Sequence, residues 1–510
     1  MMRVSPDMSA PVPPPSSQPD PRRWKALVFI CLAQLMVVLD GTVVNIALPE
    51  AKIDLGISAA NQQWVITAYA LAFGGLLLAG GRIADLWGRR RALITGLIGF
   101  AVASALGGAA VNEAMLFGAR ALQGAFGALL APSALSLLTV MFTAPKERAR
   151  AFGIFGAIAG GGAAIGLLLG GLLTQTLDWR WTMYINVVFA AIALFGAIVE
   201  IKEPPRAHDH TPRLDIPGVI LGGSGLALVV YGFSRAAEEG WGDTGTITCL
   251  IAAVVLLVVF VAWQARSPHP LLPLRVVADR ARGGAYLSVG LSVIAMFGSF
   301  LYLTLYMQVV HHYSPLSAGV AFLPMVFGML IGSTQIAARL ITRVPPRFLL
   351  VPGALLGSAG MLLLSQISAE STRYWSVMFP ALLLLGAGMG TVFMTSINLA
   401  TYGVQPRDAG VASAMVNTSQ QVGGAIGTAL LNTIAANAAA AYITDHHTAI
   451  RGPADAMALQ MDAMVHGEST GFYVAAAILA GVALMAGLLI NVRTPIGGAP
   501  ETQGVPAAQA

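Results

Sequence analysis

The sequence predicts an all-α polytopic membrane protein with fourteen transmembrane helices. Three observations predict it. Hydrophobic residues make up 56% of the 510 and charged residues only 10%, against about a quarter charged in an ordinary soluble protein. Apolar runs of roughly 20 residues, enough to cross a bilayer as a helix, recur along nearly the whole chain. If those runs alternate across a membrane, 23 of the 29 Lys and Arg fall on the side of the two termini. The other side holds Lys52, Arg180, Arg235, Arg373 and Arg451, and Arg120 is left inside a run. That bias places both termini in the cytoplasm of a multi-pass plasma-membrane protein.

The elements follow in order. Residues 1–24, rich in Pro and Ser up to Pro21, read as a disordered cytoplasmic tail. The apolar run after Arg22, Arg23 and Lys25 continues to Leu48. It is too long for the core of a cleavable signal and has no small-residue cleavage site, so it is the first helix. The predicted segments are 26–48, 62–81, 92–110, 114–138, 150–174, 181–201, 214–234, 246–265, 284–308, 316–340, 348–367, 375–400, 409–436 and 470–492. Residues 494–510 form a second cytoplasmic tail. Asn437–Ser469 reads as a solvated loop on the outer side, since its Asp445, His446, His447, Asp455, Asp462, His466 and Glu468 have no metal-ligand spacing.

A weak internal repeat divides the chain. Leu116–Ala125 lies against Met378–Ala387, and Gly162–Gly166 against Gly423–Gly427, at offsets of 262 and 261 residues. Segment 4 thus pairs with segment 12, and segment 5 with segment 13. The chain reads as a six-helix bundle at 25–201, two inserted helices at 202–265, a cytoplasmic linker at 266–282 and a second six-helix bundle at 283–493.

Composition excludes several function classes. The net charge of +5 is spread over short loops, which gives no nucleic-acid surface. Cys31 and Cys249 both lie in apolar runs and make no disulfide framework or metal set. There is no Walker sequence, nucleophile elbow or zinc signature, so no enzymatic activity, metal or cofactor is expected.

Chemistry concentrates in a few places. Asp40 lies midway along segment 1, in Leu39-Asp40-Gly41-Thr42-Val43-Val44-Asn45. An acid in a membrane helix costs roughly 2.5–3.5 kcal/mol on the insertion scale, needs a partner or a wet cavity, and is a functional candidate by default. Arg120 in segment 4 stays charged, so it holds a carboxylate or backbone carbonyls rather than carrying a proton. Gln123, three residues on, shares its helix face. Segment 5 spaces Gly162, Gly166 and Gly170 by four, with Gly171 adjoining, so another helix can approach closely. The connection Gly81–Arg91 puts two glycines, Asp85 and four arginines between two membrane runs. Asp85 there is placed to bond a helix N-terminus or a neighbouring Arg. In the second half, Tyr302 and Tyr306 share a face, and Asn398, Asn417 and Gln420 lie on segments 12 and 13. With Asn45 and Gln123 they are candidates to line an amphipathic cavity, and interhelical hydrogen bonding fits each of them equally well.

These stretches resemble the major facilitator superfamily, over nearly the whole chain from Leu39 onward. Gly81, Asp85, Gly88, Arg89 and Arg90 match its loop between helices 2 and 3, with Leu86 where Arg is common. The Asp40 stretch resembles the first-helix motif of the fourteen-helix drug/proton antiporter branch, and Arg120-Ala121-Leu122-Gln123-Gly124 the fourth-helix motif of proton-coupled facilitators. Leu167 stands where that branch usually has Pro, and Gln420 where an Arg often precedes Gln. The resemblance implies the major facilitator fold and a monomeric exporter of small amphipathic substrates in exchange for protons. Asp40 and Arg120 would serve the proton relay and the Gly81–Arg90 loop the conformational cycle. The alternatives are a proton-linked transporter of one metabolite or lipid, and a non-transporting membrane sensor or scaffold.

Overall fold

The computed structural model describes residues 21–58, 61–202, 214–370, 373–446 and 453–492. The two tails lie outside them, except for residues 21–24. Among the described residues, fourteen helices are long and apolar enough to cross a membrane. They are α1 (Arg23–Asp54), α2 (Trp64–Trp87), α3 (Arg89–Gly108), α4 (Glu113–Met141), α5 (Pro145–Thr176), α6 (Trp181–Val199), α7 (Ile216–Glu239) and α8 (Thr244–Arg266). The rest are α9 (Arg280–Val310), α10 (Leu316–Leu340), α11 (Arg347–Leu364), α12 (Tyr374–Thr401), α13 (Ala409–His446) and α14 (Pro453–Leu489).

Local chemistry sets the boundaries. Asn112, Asp215, Asp243 and Asp279 each accept a hydrogen bond from the backbone N–H three residues on, which caps α4, α7, α8 and α9. Gly88, with φ of 125°, makes the one-residue corner between α2 and α3, a conformation that a side chain would strain. Asp215 also accepts from Trp263 Nε1, Gln264 Nε2 and the Leu271 N–H, which ties α7, α8 and the segment after α8 together. Burial works against the ionised form there. The indole, amide and backbone donors outweigh it and hold the carboxyl below its ordinary range.

Packing repeats between the two ends of the chain. In the first half α1 packs on α5 and α6, α2 and α3 pack on α4, and α3 packs on α6. In the second half α9 packs on α13 and α14, α10 and α11 pack on α12, and α11 packs on α14. Each contact is reproduced eight helices later. Glycines allow the closest of these approaches: a Cβ on Gly124 would strike the Tyr69 carbonyl across the α2–α4 seam, and one on Gly386 the Met325 carbonyl across α10–α12. The inserted α7 stands against both α2 and α13, with α8 on its outer side. The α8 residues Ile251, Val254, Val255 and Val258 are exposed, an apolar surface suited to lipid.

One sequence expectation is corrected. The region Asn437–Ser469 is not a loop in its described part. α13 runs on to His446 and α14 begins at Pro453, at 38 and 37 residues. At 1.5 Å per residue these reach about 57 and 55 Å, against a hydrocarbon core of about 30 Å. The pair therefore continues as a helical hairpin past the membrane on the side away from the termini. His447 and Arg451 lie outside the described residues.

Candidate proton-binding cluster and inter-bundle contacts

The first cluster forms where α1, α2, α3, α4 and α6 converge. Asp40 and Arg120 are 0% and 1% exposed. Arg120 Nη1 donates to Asp40 Oδ2 at 2.7 Å and to Gln123 Oε1 at 2.8 Å, and its Nε donates to the Val65 carbonyl at 2.9 Å. Its guanidinium lies 4.5 Å from the Tyr69 ring centre. Gln123 Nε2 donates to Asp40 Oδ1 at 3.1 Å and to Ser104 Oγ at 2.7 Å. Asn186 Nδ2, from α6, donates to Asp40 Oδ1 at 2.8 Å. Both carboxylate oxygens are therefore satisfied by donors, the condition under which a buried ion pair is tolerated, and removing one partner of such a pair costs about 3–5 kcal/mol.

Sequence reading pairs Asp40 with Arg120 and offers Gln123, on the same face as Arg120, as a cavity-lining candidate; the fold instead buries Gln123 in the bonds between Arg120, Asp40 and Ser104. Sequence reading misses Ser104, Tyr69 and Asn186. A signal for Asn186 exists, as an amide set within the apolar run of segment 6. The side chain of Asn45 lies outside the described residues. Toward the membrane face away from the termini, Val44, Ala47, Val65, Leu116 and Met183 border a small apolar void. Beyond it Trp179 and Arg180 both donate to Asp54, at 3.1 and 2.7 Å.

The second assembly joins the two bundles at the face that carries the basic loops. Asp85 Oδ1 accepts from Arg89 at 2.8 Å and from the Gly410 N–H at 2.9 Å, and Oδ2 accepts from the Val411 N–H at 3.1 Å. Asp85 thus caps the start of α13, where a negative charge meets the positive helix end. Arg89 also donates to the Pro406 carbonyl. Gly81 lies against the Gly410 carbonyl, so a Cβ there would hold the two helices apart. Arg90 turns the other way and donates to the carbonyls of Ala197 and Ile198 at the end of α6, at 3.2 and 2.8 Å.

A second crossing lies alongside. Arg148 Nε donates to Asn398 Oδ1 at 2.9 Å, and its Nη2 to Thr401 Oγ1 at 2.7 Å. The segment after α8 adds Arg275 to Asp408 at 2.8 Å. Sequence reading assigns Arg148 to a basic loop; only the fold reveals its partner.

The α5 glycines form two stripes. Gly153 lies against α10 and Gly156 against α12, while Gly160 meets Met329 of α10. Gly162, Gly166 and Gly170 lie against Val38, Thr42 and Val43 of α1. Gly171 is buried in the same helix. A Cβ on Gly166 would collide with Thr42 Oγ1, two residues from Asp40. Gly166→Ala is therefore expected to lower transport and thermal stability, with overpacking worth about 1–3 kcal/mol. Thr42→Ala in the same protein should restore both. Thermal melting and transport of the single and double variants check this, and a double variant no better than the single one refutes the contact.

The remaining second-half candidates disperse. Asn398 is held by Arg148, and Asn417 donates to the Ser413 carbonyl of its own helix at 2.9 Å. Gln420 is half-buried on α13. Tyr302 and Tyr306 turn into the second bundle. Tyr302 packs edge-on against Phe472 of α14, and Tyr306 donates to the Ser368 carbonyl at 2.8 Å.

Comparison with known proteins accords with this architecture. The chain is 50% identical over 496 residues to the puromycin resistance protein pur8 of Streptomyces alboniger, covering 97% of each chain. It is 38% identical to the cephamycin export protein CmcT of Amycolatopsis lactamdurans, covering 80% of this chain and 84% of that one. The crystal structure of the human organic anion transporter MFSD10 (TETRAN) matches the fold with a TM-score of 0.61 at 15% identity, over 92% of this chain and 100% of that one. Residues 30–428 match the sequence pattern of the Major Facilitator Superfamily, so the chain belongs to that superfamily.

Proposed function

We propose that this chain exports amphipathic antibiotics across the plasma membrane in exchange for protons, by alternating access. One observation carries the coupling: a fully buried carboxylate, Asp40, paired to Arg120 and closed over by donors from neighbouring helices of one bundle. A static packing role has no need of a charge pair there, since well-packed apolar groups of similar volume are often as stable or more so. A proton arriving at Asp40 removes the charge that Arg120 neutralises. Arg120 then keeps Gln123 and the Val65 carbonyl, and the α1 contacts reorganise. The names of the relatives, puromycin resistance and cephamycin export, support small antibiotic substrates.

The basic-residue bias supports a topology with the termini and the Asp85–α13 junction on the cytoplasmic side, and the relatives named for resistance and export support outward transport. One chain supplies both bundles and both sets of contacts between them, which fits a working monomer.

Everted membrane vesicles test the reading, with puromycin as substrate. Imposing an acidic interior should drive puromycin into the vesicles, and collapsing the gradient with a protonophore should release it. Accumulation that is indifferent to the gradient refutes proton coupling. Accumulation in right-side-out vesicles instead reverses the orientation.

A further inference from the structure

The second bundle contains a carboxyl that the first site does not use. Glu468 lies on α14 and is 3% exposed, and both of its carboxylate oxygens are buried without a hydrogen-bond partner. The hydroxyl of Tyr302, on α9, is likewise buried and unpartnered. That hydroxyl reaches α14 one turn from Glu468: a Cβ on Gly471 would stand 2.8 Å from it.

The helix is clamped on both sides of the carboxyl. Gly467 lies against the Ala435 carbonyl of α13, and Ser469 Oγ donates to the Ser365 carbonyl of α11 at 2.6 Å. These contacts hold the backbone on either side of Glu468 against α13 and the end of α11. Its titratable surroundings are Tyr302 and Tyr306 on α9. Beyond them, toward the hairpin, Tyr442 of α13 lies between His446 and His466, with ring centres 4.1 and 4.9 Å apart. Among the described residues no cation forms an ion pair with Glu468.

An ionised carboxylate enclosed in this way, with no donor and no counter-charge, is strongly disfavoured. The same enclosure accepts a neutral carboxylic acid more readily, because no charge is then buried without a counter-charge. We propose that Glu468 is a second proton-binding site of the transport cycle, in the opposite bundle from Asp40, loaded in the conformation seen here. The proton joins a carboxylate oxygen and leaves when movement of α14 against α9 and α11 admits water. Two carboxyls, one per bundle, then discharge in one cycle. This rests on the proton-coupled reading above.

Infrared spectroscopy of the full-length protein in lipid nanodiscs tests the protonation without any need for transport. The carbonyl stretch of a protonated carboxyl should disappear in Glu468→Gln at neutral pH, and persist in Asp40→Asn. The second measurement is the number of protons moved per puromycin in proteoliposomes. Glu468→Gln, a neutral side chain of the same shape, should fold, retain gradient-driven export and move one proton fewer. An unchanged infrared band overturns the proposal. So does an unchanged proton count in the variant that has lost the band. Wild-type protein that ignores the gradient but shows the Glu468 band would sink the coupling reading and leave the protonated carboxyl standing.

Discussion

Asp40→Asn is expected to abolish uphill export while leaving substrate binding in place. The amide fills the same space and still accepts from Gln123 or Asn186, so the convergence of helices survives. It cannot take up or release a proton, and without that change of charge the α1 contacts do not reorganise, so the cycle stalls and a proton held at Glu468 has no turnover to drive. Arg120 is left buried without its counter-charge, although it keeps Gln123 Oε1 and the Val65 carbonyl. At 100 mV one charge is worth about 2.3 kcal/mol, a concentration ratio of roughly forty to fifty. That ratio should fall to one in proteoliposomes under an imposed potential and pH gradient, while equilibrium binding of puromycin stays within a few-fold. Arg120→Lys keeps the charge but not the planar fork that serves Asp40, Gln123 and Val65 together, so a partial loss and a displaced pH optimum are expected. Wild-type accumulation by Asp40→Asn would remove this carboxyl from the mechanism.

Asp85→Asn is expected to loosen the junction at the basic face. The carboxylate accepts three hydrogen bonds, from Arg89, Gly410 and Val411, and two of them come from the opposite bundle. An amide keeps the shape and one acceptor oxygen but loses the charge that meets the α13 N-terminus. Charge-assisted bonds of this kind are worth about 1.5–3 kcal/mol. A loss of about 2 kcal/mol moves the balance between closed and open forms by roughly thirtyfold. Spin labels on the basic ends of α2 and α13 should report a longer, broader distance distribution, and turnover should fall without loss of insertion. Unchanged distances together with unchanged turnover would show that the closed form does not depend on Asp85.

Which parts of this are legible from sequence follows from the physics of each. The fourteen spans are legible because hydrocarbon demands apolar runs of a set length. Asp40 and Arg120 are legible because charge inside such a run stands out. Their partners are less so: whether Ser104, Asn186 or the Val65 carbonyl meets Asp40 depends on which helices pack together, and hydropathy carries no such information. Arg148 shows the same limit, since a basic residue near a membrane end looks like an anchor until Asn398 arrives from 250 residues away. The hairpin of α13 and α14 fails for a different reason. Polarity marks where the bilayer ends, which need not be where the helix ends. Yet Ala435, Ala436, Ala438, Ala439 and Ala440, then Met457, Leu459 and Met461, are strong helix formers. Within that misread stretch Glu468 passes for a solvated charge, although the fold buries it.

The two glycine stripes of α5 have a mechanical consequence. One stripe fits the helix that carries Asp40, and the other fits α10 and α12 of the second bundle. The hydrogen bonds to Asp40 all come from its own bundle, so a change of charge there has no direct electrostatic handle on the other half of the molecule. Because interfaces this tight slide or tilt rather than compress, a small displacement of α1 is handed through α5 to α10 and α12 as a change of angle. In the proposed cycle the helix is a gear toothed on both sides, and its meshing, rather than the reach of any field, sets how far the two bundles move for each proton.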